Sequence, residues 1–163
     1  MQYREDKYGN KLSALGFGCM RLPRTLSGRI DYDKSEKLIL TAIDSGVNYF
    51  DTAYLYPGSE DTLGEILRKN HLRDKVKIAS KLPFLKVKSY DDFELLLNTQ
   101  LKNLKTDYID YYLIHNIGKP ELWNELVAYG IDKWIDEKKA RGQIKQIGFS
   151  FHGAQDDFMK MLE

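Results

Sequence analysis

Disulfides, membrane spans and an excess of charge are all missing from this chain, and each absence removes a class of answer. Cys19 is the single cysteine among 163 residues, so no internal disulfide framework can hold the fold. No apolar run approaches the length of a bilayer-spanning helix, and the opening Met1-Gln2-Tyr3-Arg4-Glu5-Asp6-Lys7 is too polar to read as a secretory signal. Lys and Arg number 25 against 24 Asp and Glu, a net charge of +1, which leaves no long-range field to gather nucleic acid or an acidic membrane surface. Small-molecule partners and a cytoplasmic location follow as expectations. No low-complexity tract or Pro, Gly or Ser-rich linker divides the chain, so residues 1–163 are expected to form one domain, and a hydrophobic fraction of 42% is enough for one core.

What is present is a repeating pattern without a repeating sequence. Segments with apolar side chains at three- and four-residue spacing, such as Phe93, Leu96, Leu97, Leu101 and Leu104, read as helices with one buried stripe. Short runs rich in Val, Ile, Tyr and Phe lie between them and read as strands buried on both faces, as in a parallel sheet. The pattern predicts strands near 14–20, 47–51, 76–81, 108–114 and 144–150. It predicts helices near 33–45, 59–69, 89–104 and 121–141, and another beginning near 154. Asp33 with Glu36 reads as a capping box for the first helix and Gly46 as its left-handed stop; Ser89 with Asp92 opens the third. Gly130 is placed to split the long fourth helix and Gly142 to end it. A hairpin turning at Gly9-Asn10 precedes the whole. Right-handed crossovers put all strand C-termini on one face. Periodicity alone leaves both a barrel and a doubly wound sheet open.

Four ionisable residues fall at or just past probable strand ends: Asp51, Tyr56, Lys81 and His115. In a parallel barrel that spacing collects them on one rim, where such folds carry their chemistry. Reducing a carbonyl by hydride needs a proton donor for the developing alkoxide and dipoles that stabilise its charge. A phenol is a weak acid at neutral pH, with a reference pKa of about 10. A neighbouring ammonium favours the phenolate, and a carboxylate beside the ammonium keeps it charged and oriented.

The strings Asp51-Thr52-Ala53-x-x-Tyr56 and Leu113-Ile114-His115-Asn116 resemble the aldo-keto reductase family over essentially the whole chain. The resemblance implies a partial (β/α)8 barrel of about the first five β/α units, with the hairpin as a plug beneath it. A complete barrel runs to about 250 residues, so the chain is expected to be truncated relative to the full fold. The activity implied is NADPH-dependent reduction of an aldehyde or ketone, with Tyr56 as general acid, Lys81 and Asp51 tuning it, and His115 orienting the carbonyl. No metal is implied. Gly16-Phe17-Gly18 lacks the third glycine and helix start of a Rossmann fingerprint. By resemblance, Gly18, Cys19 and Met20 lie near the nicotinamide end of the cofactor together with Asp51. Cys19 reads as a small packed residue rather than a nucleophile.

In Ile147-Gly148-Phe149-Ser150-Phe151-His152-Gly153 the family commonly has Ser-Asn, so Ser150 carries over as a holder of the carboxamide and Phe151 does not. This string resembles a branch whose longer members often carry an iron–sulfur tail, of which this sequence holds no cysteine cluster. The family takes most of its phosphate grip and its nicotinamide-stacking aromatic from later strands. The alternative is a catalytically silent partial barrel acting as an oligomerising or binding module, since an open segment exposes strand edges and favours self-association.

Overall fold

The computed structural model describes residues 1–162. β1 (Tyr3–Glu5) and β2 (Lys11–Ser13) form an antiparallel hairpin. Asp6 builds its turn by accepting the backbone N–H groups of Tyr8 and Asn10 at 2.9 Å and the Asn10 side-chain amide at 3.0 Å. The five strands that follow are β3 (Phe17–Gly18), β4 (Tyr49–Asp51), β5 (Lys77–Leu82), β6 (Ile109–Ile114) and β7 (Ile144–Phe149). They are parallel and lie side by side in sequence order. A doubly wound sheet reverses its strand order at the switch point, and this one does not. The chain is a partial (β/α)8 barrel.

The helices are α1 (Tyr32–Asp44), α2 (Ser59–Lys69), α3 (Tyr90–Leu104), α4 (Pro120–Ala128), α5 (Ile131–Ala140) and α6 (Gln155–Met161). Gly130 does divide the long fourth segment, as the N-cap of α5. Gly46 takes φ of 90° just past α1, a conformation that any Cβ would strain. The expected capping box of α1 is displaced. Asp31 is the N-cap and accepts from Lys34 N at 3.2 Å, while Glu36 turns away to Lys69 and Asn70. At α3 the box is half formed: Asp92 accepts the Lys88 N–H and the Ser89 hydroxyl, and Ser89 caps nothing in return. The first predicted strand shortens to Phe17–Gly18, limited by its ladder partner, the three-residue β4.

Strand alternation sorts side chains between two faces. Phe50, Ile78, Leu82, Tyr112 and Ile114 point outward and pack under the helices against Ile39, Leu63, Phe93, Leu97 and Trp134. Phe93 and Trp134 stack with centroids 5.3 Å apart. Gly64 lets α2 close on the end of α3, since a Cβ there would come within 2.5 Å of the Leu104 carbonyl carbon. The inner face carries Tyr49, Asp51, Lys81, Tyr111 and Leu113. The hairpin plugs the lower end of this face: Tyr111 donates to Asp6 at 2.5 Å, and Asn48 bonds Ser13 N and Lys11 O.

Candidate active site

Short extensions of the ladders set the upper rim. Cys19 N donates to Asp51 O, Thr52 N to Ala79 O and His115 N to Leu82 O, at 2.8, 2.8 and 3.0 Å. Each bond holds the chain in register for one more residue just where a candidate group leaves the sheet. Past Asp51 the chain folds back through a turn in which Tyr56 N donates to Ala53 O at 3.0 Å, returning the Tyr56 ring over the rim.

Lys81 is the centre of the arrangement and is 5% exposed. Its ammonium donates to Asp51 Oδ1 at 2.5 Å and to the Thr52 carbonyl at 2.8 Å. It also faces the Tyr56 ring, 4.9 Å from the centroid. No hydrogen bond joins the ammonium to the Tyr56 hydroxyl among the described residues, so the two meet through the ring face. His115 meets the same ring edge-on, with centroids 5.8 Å apart at 90°. Burial first, and the Lys81 charge second, hold the imidazole below its usual value of 6.5, so it is neutral at pH 7. Its Nδ1 is buried without a hydrogen-bond partner among the described residues. The four residues singled out in the sequence are therefore one cluster.

The expected cofactor residues behave less uniformly. Gly18 pairs with Asp51 in register and faces open space, since an added Cβ would meet nothing within 4 Å. Met20 is exposed. Cys19 is the small packed residue expected of it: its side chain is fully buried within the core cluster. Burial, then Asp51, pushes its thiol up to about 12, which leaves it inert as a thiolate. Ser150 sits at the end of β7, where its Oγ accepts the Asn116 N–H at 2.7 Å and stitches the loop after His115 to the next strand. Asn116 holds φ of 55° there. Phe151 instead packs on Phe158, with centroids 5.4 Å apart.

A cleft of about 140 Å³ opens beside His115, walled by Leu55, Pro83, Phe84 and Leu85. A larger groove of about 420 Å³, against Trp123, Ile147 and Phe149, lies on the helix side of β7 and away from the four groups. No group of three or more His, Cys, Asp or Glu is arranged to hold a metal among the described residues, and no helix there is long and apolar enough to cross a membrane.

Two residues of this region went unnoticed in the sequence. Glu60 and Gln100 are buried, and they meet behind β5. The signal was present: Glu60 shares the buried stripe of α2 with Leu63, Gly64 and Leu67, and Gln100 shares that of α3 with Leu97, Leu101 and Leu104. A polar side chain on an apolar stripe needs a partner.

The parallel barrel segment with its polar cluster at the strand C-termini has clear relatives. The model of the aldo/keto reductase family matches residues 14–162. The chain belongs to that family. It is 30% identical over 152 residues to a probable aldo-keto reductase 1 of Glycine max, covering 87% of this chain and 42% of the relative. It is likewise 30% identical over 155 residues to a 6-dehydroglucose reductase of Novosphingobium aromaticivorans, covering 87% of this chain and 48% of that protein. Among solved structures, the holo form of an aldo-keto reductase from Bacillus halodurans superposes with a TM-score of 0.75 at 27% identity, over 99% of this chain and 53% of the other. A Klebsiella pneumoniae aldo-keto reductase in complex with NADPH shares the fold, with a TM-score of 0.77 at 22% identity, over 99% of this chain and 54% of that one. The chain thus spans about half the length of the relatives it matches.

Proposed function

We propose that this chain carries the acid–base half of an NADPH-dependent carbonyl reductase, with Tyr56 as the proton donor. One observation carries the reading: Asp51, Lys81, Tyr56 and His115 converge at one rim, with Lys81 bonded to Asp51 and facing the Tyr56 ring. NADPH, when bound, supplies the hydride that attacks the carbonyl carbon. As the C=O π pair moves onto oxygen, the Tyr56 hydroxyl gives its proton to the forming alkoxide. The Lys81 charge at the ring stabilises the negative charge that develops during this transfer, and Asp51 keeps the ammonium in place. Neutral His115 polarises the carbonyl oxygen from the other side. The residues present fit the cofactor's nicotinamide end. Gly18 leaves room for a ring, and the Ser150 oxygen accepts from Asn116 N, so its own proton is free to reach a carboxamide. The narrow apolar cleft beside His115 suits a small aldehyde or ketone.

The test is NADPH oxidation followed by absorbance at millimolar cofactor with a panel of aldehydes, alongside NADPH titration monitored by NMR at Gly18 and Ser150. A slow enzyme-dependent rate that vanishes in Tyr56→Phe supports the reading. Neither rate nor perturbation at those residues would defeat it. A second reading, a catalytically silent barrel segment that binds other protein surfaces, is favoured by one feature: β3 and β7 each have an unpaired edge. The same titration separates the two.

A further inference from the structure

Among the described residues, buried charges are paired, with one exception. Asp110, 3% exposed, bonds Arg73 at 2.9 Å and Lys77 at 3.1 Å; Lys138, 2% exposed, pairs with Glu94. Glu60, also 3% exposed, has no ion-pair partner among the described residues. Neutral donors hold its carboxylate instead. Oε1 accepts from the Ser80 hydroxyl and from Gln100 Nε2, both at 2.6 Å, and Oε2 accepts from Asn103 Nδ2 at 3.3 Å. An unpaired buried carboxylate is costly, and an apolar residue at this point of the α2 stripe would avoid that cost.

The surrounding contacts all lead to one place. Gln100 takes the Tyr112 hydroxyl on Oε1 at 2.6 Å, which fixes the orientation of its amide, and its Nε2 reaches the Lys81 carbonyl at 3.2 Å. Ser80, bonded to Glu60, directly precedes Lys81 in β5, so the two point to opposite faces of the strand. Lys81 is the cation beside this network: its side chain leaves β5 on the far face, and its charge acts on Glu60 through the strand, in a region where solvent screens little. The titratable groups that act on the carboxylate include Lys81 from β5 and Tyr112 from β6. Helix α3 contributes the neutral amides of Gln100 and Asn103.

We propose that Glu60 is a positioning residue for Lys81: it holds the Ser80-Lys81 backbone from behind, through Ser80 and Gln100, and supplies a second negative charge to the ammonium opposite Asp51. This rests on the reading of Lys81 as part of the active site. Burial raises the Glu60 carboxyl above its usual value, while the three hydrogen bonds and the Lys81 charge pull it back. Charge coupling is reciprocal, so the pull of Lys81 on Glu60 measures the pull of Glu60 on Lys81.

The experiment is a carbon-13 NMR titration of the Glu60 carboxyl in the full chain, assigned by its loss in Glu60→Gln, for wild type, Lys81→Met and Lys81→Arg. The Glu60 midpoint should rise in Lys81→Met and stay at the wild-type position in Lys81→Arg, which keeps the charge. Equal midpoints in all three would overturn the proposal. Lys81→Gln gives the same reading should the methionine variant fail to fold. A purely structural role for Glu60 would not produce this dependence on charge. Lack of turnover in the wild type would count against carbonyl reduction and would leave the coupling measurement untouched.

Discussion

Lys81 presents its ammonium to the ring of Tyr56, 4.9 Å from the centroid, while bonded to Asp51 at 2.5 Å. The cation thus meets the phenol at its ring rather than through a shared proton. Under the proposed mechanism, Tyr56→Phe should lower kcat/KM by about 10²–10⁴-fold, the usual range for general acid catalysis, with NADPH affinity nearly unchanged. Lys81→Met should produce a loss of similar order, and the double variant should lose little more than either alone, because residues acting as a unit are non-additive. Fully additive losses in steady-state kinetics would separate the two residues.

His115 gives stability a pH dependence of known sign. Its folded-state pKa is depressed, so the unfolded chain binds the proton more readily. The contribution is fully present above the unfolded value of about 6.5 and is lost as pH falls from there through the lower folded value. Urea unfolding between pH 7.5 and 5 should show wild type losing stability faster than His115→Gln. Parallel curves would indicate that the imidazole is solvated.

Gly64 is the contact point of α2 with the end of α3. Alanine there would bring its Cβ within 2.5 Å of Leu104 backbone, which cannot yield as a flexible side chain can. Gly64→Ala should destabilise by about 1–3 kcal/mol, as overpacking does, although alanine favours helix. An unchanged urea midpoint would mean that α3 shifts freely.

The unpaired edges of β3 and β7 carry a fourth expectation. Such edges are templates for further pairing, and β7 is only partly buried along most of its length. The 163-residue chain in isolation should self-associate with rising concentration, as read by light scattering. Replacing Ile147 on β7 with lysine should reduce the association. A monomer at all concentrations would show that the edges are protected.

Much of the site was legible because it is built locally. Strand periodicity and turn residues place Asp51, Lys81 and His115 at strand ends, and parallel crossovers bring strand ends to one rim whatever the details of packing. The stripe from Phe93 to Leu104 was legible for a similar reason, since period alone selects the buried face. Helix starts were less so. Asp31 and Asp33 are equally good caps by type, and what distinguishes them is that Asp31 N is already tied to Pro23 O at 2.8 Å, fixing the extended backbone a cap requires.

The sequence by itself determined the order of strands and helices, the buried face of each, and the rim on which four ionisable groups gather. All of these follow from local spacing and the chirality of the chain. Only the tertiary structure decided that Lys81 faces the ring of Tyr56 rather than its hydroxyl, and that Glu60 and Gln100, 40 residues apart, meet behind Lys81. A polar residue on an apolar stripe announces that it needs a partner, but the partner is chosen by how α2 and α3 pack on β5. That packing depends on side-chain volumes brought together from distant parts of the chain, on which local periodicity carries no information.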